Sequence, residues 1–243
     1  METRRKFLFS ALLFLVLAGP ASAQEDYRLF RERAGASSLL YRGQKAFAYN
    51  MLYNGTCYWT SPDFREGRVL YSGKSYDNVL LNIDAARQDL LVRIPGSVVD
   101  KVVDRRFVEE FTIDGHRFLN LQTRYGDTAP SGYWEVLHEG DIQFLCRVSK
   151  RMEQDVEGRK QDLTGYDGVF RLNVYQVFTR SVAYQLVFPD GRIIPVRRRR
   201  DILRPFEPSL RREIRRHLRQ RENVNLMPFE QYAVEALKYL DSK

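Results

Sequence analysis

The sequence has little material for a metal or cofactor site. Two cysteines among 243 residues are too few for a disulfide framework or a four-cysteine zinc module. His116, His138 and His217 are the only histidines, and none stands at metal-ligand spacing from another. Neither a Gly-rich phosphate loop nor a G-x-S-x-G elbow occurs. We assign no cofactor, no metal and no catalytic residue. Fifteen glycines and nine prolines are ordinary numbers, which excludes collagen-like and low-complexity chains. No apolar run approaches the roughly twenty residues needed to span a bilayer as a helix.

What remains is the composition of a soluble globular domain: 44% apolar, 29% charged and 13% aromatic residues. The N-terminus carries the clearest message. Arg4, Arg5 and Lys6 precede an apolar run from Phe7 to Ala18, broken only by Ser10. Gly19 and Pro20 end it, and Ala21-Ser22-Ala23 supplies small residues before Gln24. This is the pattern of a secretory signal peptide. We expect residues 1–23 to be removed and the product to be exported, periplasmic or secreted, with no transmembrane span left. In an oxidising compartment Cys57 and Cys146 could close a bridge, worth about 4–5 kcal/mol in the chain-entropy model. The alternative is two separate buried thiols.

Residues 24–45 read as an extended lead-in, 46–200 as an antiparallel β domain, and 201–243 as a basic helix followed by an aromatic-rich one. Val79, Leu81 and Ile83 alternate, as do Leu90, Val92 and Ile94, and Phe107, Phe111 and Ile113 continue that period of two. Further strands are expected at 69–71, 116–122, 133–138, 142–148, 169–177 and 184–188. Ser72-Gly73, Asp114-Gly115, Glu139-Gly140-Asp141 and Asp190-Gly191 are hairpin turns. Such short links give antiparallel neighbours. Residues 149–168 form a polar excursion between strands. The fold class is thus mainly β (α+β): an antiparallel curved sheet or partial barrel with a C-terminal two-helix tail. In that tail Pro208 opens a helix with Leu210, Ile214 and Leu218 in one stripe. After a break at Asn223 to Asn225, Pro228 opens a second helix, striped by Phe229, Ala233, Leu237 and Leu240.

The basic charge is local. The whole chain carries +8, and loss of residues 1–23, with three basic residues and one acid, leaves +6. Residues 192–222 hold twelve arginines and four acids, a net +8, so the rest of the mature chain carries −2. Arg197, Arg198, Arg199, Arg200, Arg211, Arg212, Arg215, Arg216 and Arg219 are the candidate face for an anionic partner. A solvated helix face is the plainer alternative. Nucleic acid is set aside, because export separates the chain from it and no aromatics interleave the arginines.

A second cluster is aromatic. Tyr53, Tyr58, Trp59, Tyr71 and Tyr76, with Tyr49 nearby, form a candidate contact surface or groove. Ordinary sheet packing would also account for them. Acid pairs such as Asp104 with Glu109, or Asp84 with Asp89, could serve a glycosidase, but any β protein holds such pairs.

Several segments also carry a resemblance. They are Tyr53-Asn54-Gly55 with Tyr58-Trp59, then Gly67-Arg68-Val69-Leu70-Tyr71-Ser72-Gly73-Lys74 with Tyr76, and Asp77 to Asp84. Gly132 to Leu137 and the Asp190-Gly191 turn before the basic helix follow. From about residue 46 onward the chain resembles a group of exported, uncharacterised β-rich proteins of Bacteroidota with Y-N-G and G-x-V-x-Y-x-G-x-x-Y segments. The resemblance implies a Gram-negative envelope setting and carries over no catalytic residue.

The leading expectation is a non-enzymatic envelope protein that binds another envelope component, either a protein or an anionic lipid surface. A hydrophobic-ligand or lipoprotein carrier with a β groove is the alternative, and an envelope-polymer hydrolase the second.

Overall fold

Alternating burial along short segments produces ten strands. They are β1 (Arg65–Tyr71), β2 (Lys74–Asp84), β3 (Asp89–Arg93), β4 (Asp100–Val102) and β5 (Val108–Ile113). Then come β6 (His116–Asn120), β7 (Tyr133–His138), β8 (Gln143–Gln154), β9 (Gln176–Val187) and β10 (Ile193–Val196). Four helices accompany them: α1 (Leu121–Tyr125), α2 (Arg199–Leu203), α3 (Pro208–Arg219) and α4 (Phe229–Asp241). This computed structural model describes residues 38–94, 96–154, 176–220 and 226–243. The expected signal peptide, residues 24–37 of the lead-in, most of the 149–168 excursion, strand positions 169–175 and the Asn223 to Asn225 break lie outside the described residues. The chain divides into two compact units, Met1–Arg42 and Gly43–Lys243. The described part of the first holds a 3-10 turn, Leu39–Tyr41.

All ten strands of the second unit form one sheet, in the order β10-β9-β8-β7-β6-β5-β1-β2-β3-β4. Every neighbouring pair is antiparallel. The fold is mainly antiparallel β with two helices at its C-terminus, and the sheet is open. The expected hairpins form at Ser72-Gly73 (φ 51° and 71°) and Asp114-Gly115 (φ 50° and 81°). Two successive positive φ values give the turn whose twist matches the flanking strands.

Local departures have local causes. Phe107 does not join β5. It ends a 3-10 turn, Arg105–Phe107, and is 44% exposed. A bulge places Leu70 opposite Glu110 and Tyr71 opposite Val108, so Val108 takes the inward position instead. Glu109, the extra residue, accepts a hydrogen bond from the Gly73 N–H at 2.7 Å. On β2 a second bulge puts Asn78 at φ 54°, which lets Tyr76 and Val79 both point inward. Leu121 and Gln122 leave the expected strand for α1, because the Asn120 carboxamide caps a helix by accepting from Gln122 N–H.

The sheet curls. The tip between β2 and β3 reaches β8, although four strands, β7, β6, β5 and β1, lie between β8 and β2 in the sheet. There Lys150 N–H donates to Ala85 O at 3.0 Å and Gln88 Nε2 donates to Val148 O at 2.9 Å. The far ends of β8 and β9 extend beyond their neighbours β7 and β10. That arm is clasped on both edges, by Ala85 on β8 and by Asn54, which bridges to Val177 on β9.

The helices cover one face of β8 to β10. Ile202, Leu203, Ile214, Leu218, Ala233 and Leu237 pack with Phe144, Leu186 and Val196. On the opposite face Trp134, Leu145 and Val187 pack with Leu121 and Ala129. Among the described residues no helix is long and apolar enough to cross a membrane.

The possible bridge between Cys57 and Cys146 does not form, and the alternative of two separate buried thiols holds. Both are free and buried, and they are not at bonding distance. Cys57 lies in the loop before β1, where its carbonyl accepts from Ala85 N–H. Cys146 lies on β8 opposite Glu135 and Tyr184. Cys146 points inward with Phe144 and Val148, in a different packing environment from that of Cys57. Burial pushes both thiols up to about 12.

Candidate functional site: an arginine-lined helix face

Helix α3 begins at Pro208, whose missing N–H costs nothing in a first turn. Ile214 and Leu218 are buried, Leu210 packs beside them, and His217 stacks on the Tyr239 ring at 4.4 Å. These contacts fix the rotation of the helix. With 3.6 residues per turn, Arg212, Arg215, Arg216 and Arg219 then share an outward arc of about 100°, and all are exposed. Arg212 Nε donates to Pro208 O within the helix, at 3.3 Å. Among the described residues no carboxylate forms an ion pair with any of the four. The nearest acid on the helix, Glu213, is taken by Lys243. That hydrogen bond, reinforced by the Arg216 charge, holds Glu213 below the usual carboxylate range.

The other arginines of the predicted face divide by role. Arg211 turns back along the chain, giving Nε to Phe206 O at 2.6 Å and Nη2 to Arg204 O at 2.9 Å. Arg199 donates to Met227 O and lies over the Tyr232 ring at 5.0 Å. Both therefore fasten the helices. Arg197, Arg198 and Arg200 are exposed around the start of α2. Asp201 there accepts from the backbone N–H groups of Arg197 and Arg198, at 3.2 and 2.9 Å. Those bonds keep its carboxyl low.

The predicted aromatic residues occupy three separate places. Tyr53 packs on Phe178 with ring centroids 5.0 Å apart, beside Tyr49. Trp59 packs on Phe118 and His116. Tyr71 and Tyr76 contact each other and are each only 7% exposed. Tyr58 forms a backbone bridge with Asp84.

An open cleft of about 630 Å³ lies along the β8–β9 arm, lined by residues that include Tyr49, Lys150, Met152, Phe178, Thr179 and Ser181. At its side the buried Asp84 accepts from Tyr49 Oη at 3.0 Å and from the Ala86 and Arg87 N–H groups at 2.9 and 3.0 Å. Burial still raises the Asp84 carboxyl, outweighing those bonds. Burial and then the Asp84 charge raise the Tyr49 hydroxyl. The buried Lys150 was not singled out from the sequence. A signal existed, since Lys150 continues the inward phase of Phe144, Cys146 and Val148.

The acid pairs considered for hydrolysis have structural partners. Asp84 and Asp89 face each other across the β2–β3 hairpin. Asp89 meets Arg87 and Arg105, Asp104 meets Arg106, and Glu109 caps Gly73. His116 meets Glu135 and His138 meets Asp241, each at 2.7 Å. No group of three potential metal ligands occurs among the described residues.

Comparison of the chain with protein-family models, with curated proteins and with solved structures finds no match.

Proposed function

We propose that the chain is an exported, non-enzymatic envelope protein that docks on an anionic lipid surface through the outward face of α3. One observation carries this reading. Arg212, Arg215, Arg216 and Arg219 share one exposed arc without a paired carboxylate among the described residues, while the opposite stripe anchors the helix to the sheet. A flat cationic strip suits a flat array of headgroups, and arginine forks match phosphate geometry. At about 1 kcal/mol for each basic residue near such a surface, four arginines supply about 4 kcal/mol. That is roughly a thousand-fold in partitioning. The Gram-negative envelope setting, the Bacteroidota resemblance and the cleavable leader belong to the same proposal.

The test is co-sedimentation with vesicles of phosphatidylglycerol and phosphatidylcholine, compared with phosphatidylcholine alone. Binding is expected to need the anionic lipid and to weaken with salt. Replacing Arg212, Arg215, Arg216 and Arg219 together by Gln should abolish it with the melting transition preserved. Equal binding by that variant, or no binding to anionic vesicles by the wild type, rejects the proposed surface. In the second case an acidic protein partner becomes the reading to pursue.

A further inference from the structure

A different group of arginines gathers where the β2–β3 tip meets β7 and β8. Gln88, at φ 57°, is the hub. Its carbonyl accepts from Arg105 Nη2, and its Nε2 donates to Ala85 O and Val148 O at 2.8 and 2.9 Å. Its Oε1 sits against Gly132, just before β7. A Cβ on Gly132 would lie 2.6 Å from that oxygen and 2.9 Å from the Arg147 Cδ, so any larger residue would push the group apart. Arg147 approaches from β8, stacks over the Trp134 ring at 4.8 Å and donates Nη1 to Ser131 O.

The charges do not balance. Among the described residues Asp89 is the one carboxylate in ion-pair contact with this group, and it meets Arg87 at 3.2 Å and Arg105 at 3.4 Å. Arg147 has no ion-pair partner among the described residues. With Asp84, which faces Asp89 across the hairpin, three guanidinium groups and two carboxylates leave a formal +1. Arg147 Nε and Arg105 Nε are buried without a hydrogen-bond partner. The buried Tyr133 lies against Arg105, its ring 5.7 Å from the guanidinium. Arg147 Nη2 and Arg105 Nη1 also make no hydrogen bond among the described residues, and neither is among the buried unpartnered atoms. Those two outer nitrogens are left free to meet an incoming group.

We propose that Arg105 and Arg147 form a binding site for a dianionic phosphate group, seated between the two outer nitrogens beside Gln88. A phosphate monoester carries about −1.5 to −2 at neutral pH, enough to offset the excess charge. Guanidinium forks bind its oxygens two at a time. Burial, and then the neighbouring Arg105 charge, lower the Arg147 guanidinium below its ordinary value. A bound dianion would relieve that repulsion. This site is independent of the α3 face and does not rest on the proposal made for it.

The test is isothermal titration of the full chain with inorganic phosphate and, separately, with glycerol 3-phosphate, at constant ionic strength. Saturable binding of either supports the site. Tighter binding of the ester identifies a phosphorylated metabolite or headgroup as the source, and equal binding identifies the free anion. Arg147→Gln is expected to weaken binding at least ten-fold. Arg147→Lys, which keeps the charge and loses the fork, should weaken it several-fold and covers the case in which the Gln variant fails to fold. The quadruple Gln variant of α3 should bind as wild type. No saturable binding, or binding lost in the α3 variant and kept in both Arg147 variants, overturns the proposal.

Discussion

The Tyr49 hydroxyl donates to the Asp84 carboxylate at 3.0 Å, joining residues 35 positions apart. Through this bond the segment before β1 is held to the tip of the β2–β3 hairpin. The Tyr49 ring also packs edge-on against Phe178 of β9, at 5.3 Å. One side chain thus ties three distant stretches together.

Tyr49→Phe keeps the ring contact and removes the bond. The expected loss is about 1.5–3 kcal/mol, the range for a hydrogen bond to a charged acceptor. Urea unfolding would measure it. A midpoint equal to wild type would mean the bond contributes nothing net.

Asp84 provides a pH test. Its folded-state value is raised by burial. A raised carboxyl stabilises the fold below its unfolded value, and that contribution is lost as pH rises through the folded value. The melting temperature of wild type minus that of Asp84→Asn should therefore fall from acid toward neutral pH. A constant difference would show that Asp84 titrates alike in both states.

The thiols should be inert in the native chain. With Cys57 and Cys146 buried and pushed up to about 12, little thiolate exists at neutral pH. Reaction with iodoacetamide should be slow until denaturant is added, and then modify both. Migration of the unreduced chain as an intramolecularly crosslinked species would contradict the free-thiol structure.

Ile214 is fully buried between α3 and the sheet. Ile214→Ala should cost about 2–4 kcal/mol through lost burial and the cavity left behind. Chemical denaturation followed by circular dichroism would report it. The change leaves every α3 arginine in place, so vesicle binding by the folded fraction should persist.

Much of the strand pattern was legible because hairpin turns announce themselves. Ser72-Gly73 and Asp114-Gly115 set both the links and the direction of the chain. The α3 stripe was equally plain from Leu210, Ile214 and Leu218. Bulges were not legible. They change the inward phase by one residue, which is why Phe107 seemed an inward position and Val108 holds it. β4 and β10 were missed, being three and four residues long, too short to show a period. The arginine face was visible as composition, but the separate duties of Arg199 and Arg211 depend on carbonyl groups brought near by folding. The Arg105 and Arg147 pair left no trace, since it joins residues brought together only by the curl of the sheet.

An open ten-stranded sheet has two rims, and each is a template on which a neighbouring molecule could add a strand. At one rim residues 44–46 occupy the template: Ala46 N–H donates to Asp100 O and Val102 N–H donates to Gln44 O. At the other, β10 is four residues long and contains Pro195, which has no N–H to offer. The run from Arg197 to Arg200 follows at once and adds like-charge repulsion between copies. The molecule can thus leave its sheet open and still resist polymerising edge to edge.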